Sequence, residues 1–155
     1  MSSSINADVQ RLYDTESPTE QAYLAAIQAN PSQFHTYMWE VFPSLTSKRV
    51  QLAIVTALPE SIHYFIEHRY SIDHDVKLAA VQSDPFILSS LLYDGGNKNL
   101  QLAAVKRNGK AIRSALIYAQ MADISIHTDV LREAIKQDPQ AKNIIIDFGI
   151  TPPEL

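Results

Sequence analysis

Apolar and polar residues alternate along this chain in a block that can be laid over itself five times. The clearest copy, residues 97–116 (NKNLQLAAVKRNGKAIRSAL), is apolar at its fourth, sixth, eighth and ninth positions, and 47–66 and 73–92 repeat it. Weaker copies occupy 19–38 and 127–146. A recurrent block of this length is the mark of a repeat architecture. Column six is Leu24, Leu52, Leu78 and Leu102, breaking only at Arg132. Column eight is Ala26, Ile54, Ala80, Ala104 and Ala134, and column nine is Ile27, Val55, Val81, Val105 and Ile135. A surface helix shows a single apolar stripe. Apolar residues on more than one side, with Ala where backbones approach, predict a first helix sandwiched between neighbouring copies.

Column thirteen is Pro31, Pro59, Pro85, Gly109 and Pro139, preceded in four copies by Asn30, Asp84, Asn108 and Asp138. Asn and Asp side chains cap the free amides that open a helix, and proline is tolerated at the first helical position. Proline also pushes the residue before it out of the α region, so the preceding helix must end. Each copy therefore reads as helix, sharp break, helix. In the second helix, columns sixteen, nineteen and twenty form an i, i+3, i+4 stripe: Phe34/Tyr37/Met38, Ile62/Phe65/Ile66, Leu88/Leu91/Leu92 and Ile112/Ala115/Leu116. That spacing predicts one buried face per hairpin.

The pattern predicts an all-α chain, a right-handed α-solenoid of about five helical hairpins forming one domain over 17–147. A flexible segment, 1–16, precedes it with a short covering helix at 5–13, and a tail, 148–155, comes after it. Ser17-Pro18-Thr19-Glu20 reads as a cap, a first-turn Pro and a Glu at the capping-box position. Tyr93-Asp94-Gly95-Gly96-Asn97 reads as a tight turn, and Thr128 or Asp129 as the cap of the last copy. There, Arg132, Glu133 and Lys142 replace apolar residues, as a terminal repeat's polar outer face requires. The closing TPPEL reads as a frayed end.

Two repeat classes share these residues. LAAVKRNGKAI, 102–112, is similar to an Ala-Ala-Val-Lys-x-Asn-Gly pattern found in tandem in a bacterial family known only as a domain of unknown function. DVKLAAVQSDPFILSSLLYD, 75–94, and the terminal TPPEL resemble the leucine-rich variant repeat, whose units alternate a helix with a tighter helical turn. The resemblance covers 19–146 and implies a HEAT-like scaffold without shared catalytic residues. Iron–sulfur cysteines known with one leucine-rich variant protein have no counterpart here, because the chain has no Cys.

Lack of cysteine removes disulfides, thiolate metal sites and a Cys nucleophile, and fits a reducing cytosol, bacterial or host. The first ten residues, MSSSINADVQ, lack the charged and apolar regions of a signal peptide, and no apolar run approaches a membrane span. A net charge of −4 argues against a wholly basic nucleic-acid binder. Four glycines leave no material for a phosphate-cradling loop.

Chemistry-bearing residues are sparse. His63, His68, His74, Asp73 and Asp75 are the one group with metal-ligand character, but His63 and His68 are five apart, on different helix faces. Asp73 and Asp75 read better as caps. No nucleophile elbow, HExxH or paired-acid motif occurs. The reading is a non-enzymatic protein-binding module, an effector, inhibitor or adaptor, with no cofactor and no membrane partner. The residues expected to meet a protein partner are His35, Tyr37 and Trp39 in the first copy, because Trp and Tyr lead interface hot spots, and Lys106, Arg107, Lys110 and Arg113 in the fourth. Lys98 joins those cations, and no acid lies between Asp94 and Asp123. That basic stretch supplies the alternative, a nucleic-acid-binding or nucleic-acid-mimicking protein reading phosphates through charge.

Overall fold

A computed structural model describes residues 4–15, 18–37, 47–68, 70–91 and 97–155. Among these the chain is all-helical, with ten α-helices and no strand. Met38, Trp39, Phe42, Leu92, the 43–46 loop, Ser17 and most of the 93–97 turn lie outside the described residues.

Two compact units divide the chain, Met1–Ala79 and Ala80–Leu155. The first holds α1 (Ala7–Tyr13), α2 (Glu20–Ala29), α3 (Pro31–Tyr37), α4 (Lys48–Ala57), a 3-10 turn (Pro59–Ser61), α5 (Ile62–Glu67) and the start of α6 (His74–Ser83). Helix α1 packs on α2 and α3, burying Val9 and Leu12. The Gln33 side chain ties its entry: Asn6 N donates to Oε1 at 2.7 Å, and Nε2 donates to the Ser4 carbonyl at 3.1 Å. Helix α2 packs on α4, the corresponding helix of the next copy.

The second unit holds the end of α6, a 3-10 segment (Pro85–Ser90), α7 (Lys98–Arg107), a 3-10 turn (Gly109–Ala111), α8 (Ile112–Ala122), α9 (Thr128–Gln137) and α10 (Ala141–Asp147). Helix α7 packs on α9, again its counterpart one copy on, and α8 packs on α10.

All five copies end their first helix identically. The column-twelve amide donates to the column-eight carbonyl: Asn30 to Ala26, Leu58 to Ile54, Asp84 to Ala80, Asn108 to Ala104 and Asp138 to Ala134, at 2.7–3.0 Å. The column-twelve backbone then turns extended, with φ between −158 and −135. Where that residue is Asn or Asp, its side chain caps the next helical turn, accepting from the amides of Gln33, Phe86, Lys110 and Gln140. The same break occurs at Asn108, before Gly109, so proline reinforces this ending without being necessary for it.

The core of the first helices is one wide face. Columns four, eight and nine are buried through Val50, Val76, Leu100 and Val130, the column-eight residues, and Ile27, Val55, Val81, Val105 and Ile135. Column five joins them with Tyr23, Gln51, Gln101 and Leu131. Column six does not: Leu24, Leu52, Leu78 and Leu102 are all half-buried. The expectation of core on two sides is corrected here. Columns four/eight and five/nine are i, i+4 pairs on one side of the helix, whereas the i+4 partner of column six is polar: Gln28, Thr56, Gln82, Lys106 and Lys136.

Other local expectations change. Thr19, not Ser17, caps α2, accepting from Ala22 N at 3.2 Å. Ser47 caps α4. His127, not Thr128 or Asp129, occupies the N-cap of α9, without a side-chain cap. Of the two acids read as caps of α6, only Asp73 plays that part, accepting from Asp75 N at 3.2 Å. The terminal residues are not frayed. Arg132 Nε donates to the Glu154 carbonyl at 3.2 Å, and Pro153 lines a cavity with Phe148 and Ile150.

Candidate functional site

Column six places leucines in the lining of two grooves with matching positions in the repeat. In the first unit, a groove of about 640 Å³ between α2 and α4 is lined by Leu24, Ile27, Gln28, Pro31, Leu52, Ala53, Thr56 and Ala57. Among the described residues it carries no charge. In the second unit, a groove of about 600 Å³ is lined by Gln82 from the end of α6 and by Asn99, Leu102, Ala103, Lys106 and Arg107 of α7. Leu102 and Ala103 fill the columns of Leu52 and Ala53, while Lys106 and Arg107 fill those of Thr56 and Ala57.

The cations fall into two groups. Those at the starts of first helices are consumed within the fold: Arg49 pairs with Glu20 at 2.9 Å, Lys48 with Asp75 at 2.6 Å and Lys98 with Asp129 at 2.7 Å. The bonded ammonium groups hold the Asp75 and Asp129 carboxyls below the usual carboxylate range. Lys106, Arg107, Lys110 and Arg113 are exposed, and none is in an ion pair among the described residues. Lys106 and Arg107 share the groove, with Arg107 Nε donating to the Gln82 carbonyl at 3.3 Å. Lys110, on the Gly109–Ala111 turn, and Arg113, in the first turn of α8, do not line it.

The first-copy residues separate. Trp39 lies outside the described residues. Tyr37 is half-buried. His35 and His63, in one repeat column, line a shallow depression of about 340 Å³ with Glu60, Tyr64 and Glu67. The His35 Nδ1 sits 3.0 Å from Ser61 Oγ, which ties that ring to the neighbouring copy. Phe34 is core, meeting Tyr23 edge-on at 6.3 Å. A second aromatic group, not singled out from sequence, gathers Tyr64, Phe65, His68 and Tyr70: Tyr64 and Tyr70 stack at 6.4 Å and Phe65 meets Tyr70 edge-on at 5.7 Å. Burial pushes the Tyr64 hydroxyl up, and burial with the neighbouring Tyr64 and Tyr23 pushes Tyr70 up to about 12.

A further cavity, about 490 Å³, lies in the second unit among Leu116, Ala119, Ile124, Leu131, Phe148 and Pro153, with the hydroxyls of Ser125, Thr128 and Thr151. Among the described residues no ionisable side chain lines it. Sequence reading missed it because part of its wall is the C-terminal segment taken as frayed. Among the described residues no group of three or more His, Asp or Glu side chains is placed to hold a metal ion, and no helix is long and apolar enough to cross a membrane. No protein-family model matches the chain, and neither a curated protein nor a solved structure proved similar to it.

Proposed function

We propose that this chain is a non-enzymatic protein-binding module, a right-handed α-solenoid of about five hairpins that takes a cytosolic partner protein along its helical-repeat surface. The shared ending of all five first helices supports the repeat reading, as does the packing of α2 on α4 and of α7 on α9. One observation carries the binding reading. Every column-six leucine stays half-buried, while Gln51 and Gln101, one residue earlier, are buried. Leucine left partly in water forgoes part of the roughly 1.5–3 kcal/mol that full burial provides. A partner's apolar side chains would cover it. Stacked-hairpin proteins use such faces for recognition, and this chain is read by analogy with them.

The test is affinity capture from lysate of the source organism, with and without nuclease, using the wild type and L24E/L52E. A stoichiometric partner that survives nuclease and is lost from a stably folded variant is expected. Retention by the variant would remove column six from the interface. The exposed cations Lys106, Arg107, Lys110 and Arg113, in no ion pair among the described residues, favour a second reading, phosphate-backbone binding. It requires capture that vanishes with nuclease and weakens steeply with salt.

A further inference from the structure

We infer that the α7 groove of the second unit receives an acidic, amphipathic segment of the partner protein; this rests on the protein-binding reading above and names its chemistry at one place. Leu102 and Ala103 give the groove an apolar lining, and Lys106 and Arg107 line it beside them. Among the described residues no carboxylate lines the groove, and neither cation is in an ion pair. The negative end of the α7 dipole draws cations to this last turn but offers them no countercharge of their own. The hydrogen bond from Arg107 Nε to the Gln82 carbonyl anchors the guanidinium beside the groove.

The repeat supplies an internal control. The α2/α4 groove keeps the same Leu and Ala columns with Thr56 and Ala57 in place of Lys106 and Arg107, and α4 ends with the same hydrogen bond as α7. The cations are therefore not needed to build the helix or its break. Their charge changes what the groove attracts. A ligand matched to both features places an apolar side chain over Leu102 and carboxylates at Lys106 and Arg107. A nucleic acid matches the charge alone, since among the described residues no aromatic side chain lines the groove to stack a base.

The test is selection of short random peptides displayed on phage against the full chain, with a pool of single-stranded DNA as a parallel arm. Enriched peptides are expected to be acidic with a large apolar residue. Their affinity should fall roughly tenfold in K106E/R107E, where attraction becomes repulsion, and hold in the K142E control. Introducing T56K/A57R should confer the same acidic preference on the first unit's groove. Neutral or basic winners, binding unaffected by K106E/R107E, or no enrichment each overturn the inference. DNA that binds the wild type more tightly than the acidic peptides and is lost in the same variant overturns it in favour of phosphate. A lysate partner lost in L24E/L52E but kept in K106E/R107E sinks this inference and leaves the protein-binding function standing.

Discussion

Lys48 Nζ lies 2.6 Å from Asp75 Oδ2, joining the second residue of one copy to the third residue of the next. Lys98 and Asp129 repeat the relationship at 2.7 Å, and Glu20 and Arg49 repeat it at 2.9 Å with the charges exchanged. The pairs are exposed, so their value lies in register more than in strength. A Lys at the second position thus meets an Asp at the third position of the next copy, and a Glu at the second meets an Arg.

Reversing one partner should therefore harm more than removing it. K48D places a third acid beside Asp73 and Asp75 and should lower the melting temperature more than K48A, with K48D/D75K recovering most of the loss. Because Asp75 titrates below 3.8 in the folded chain, its contribution is present above that pH and is lost as pH falls through the depressed value. D75N should flatten this acid limb in a thermal-melt series. An unchanged limb would show that the pair is not formed in solution.

Gly109 stands where the other copies have Pro, and the reason is crowding. A Cβ there would lie 2.5 Å from the Ala134 carbonyl oxygen and 2.9 Å from Asp138 N, both backbone atoms of the end of α9. Gly109→Ala should destabilise by about 1–3 kcal/mol, the usual range for overpacking, measured by urea denaturation. Gly109→Pro should be worse, although proline is the residue of this column elsewhere.

Leu100 and Leu102 separate core from surface within one helix. Leu100 is fully buried, so Leu100→Ala should cost about 2–5 kcal/mol. The half-buried Leu102 should lose no more than about 1 kcal/mol on the same change. Equal losses in denaturant titrations would mean that column six is core after all.

Tyr70 should shape the alkaline limb. Its hydroxyl titrates at about 12 in the fold against 10.0 ordinarily. The folded chain thus holds its proton where the unfolded chain has released it, so the contribution is whole below pH 10 and is lost as pH rises towards 12. Tyr70→Phe should flatten stability across that window, read by denaturant midpoints at stepped pH.

Much of the architecture was legible in the residues themselves. The break at column twelve, its caps at Asn30, Asp84, Asn108 and Asp138, and the cap at Ser47 depend on side chains reaching amides two or three residues away, and such local geometry is written in local sequence. The candidate site was legible only as composition. Lys106, Arg107, Lys110 and Arg113 read as one basic stretch, yet a helix end and a turn separate them, and only two reach the groove.

By itself the sequence determined the all-helical class, the five-fold block and where each first helix stops, because these arise from periodicity, proline and capping. Tertiary structure decided which apolar column is core, why Gly109 must lack a side chain, and that Arg132 holds the terminal segment at Glu154. Those depend on distances between residues far apart in the chain. Leu100 and Leu102 are equally apolar as letters, and only the neighbour packed against one face of α7 makes them different.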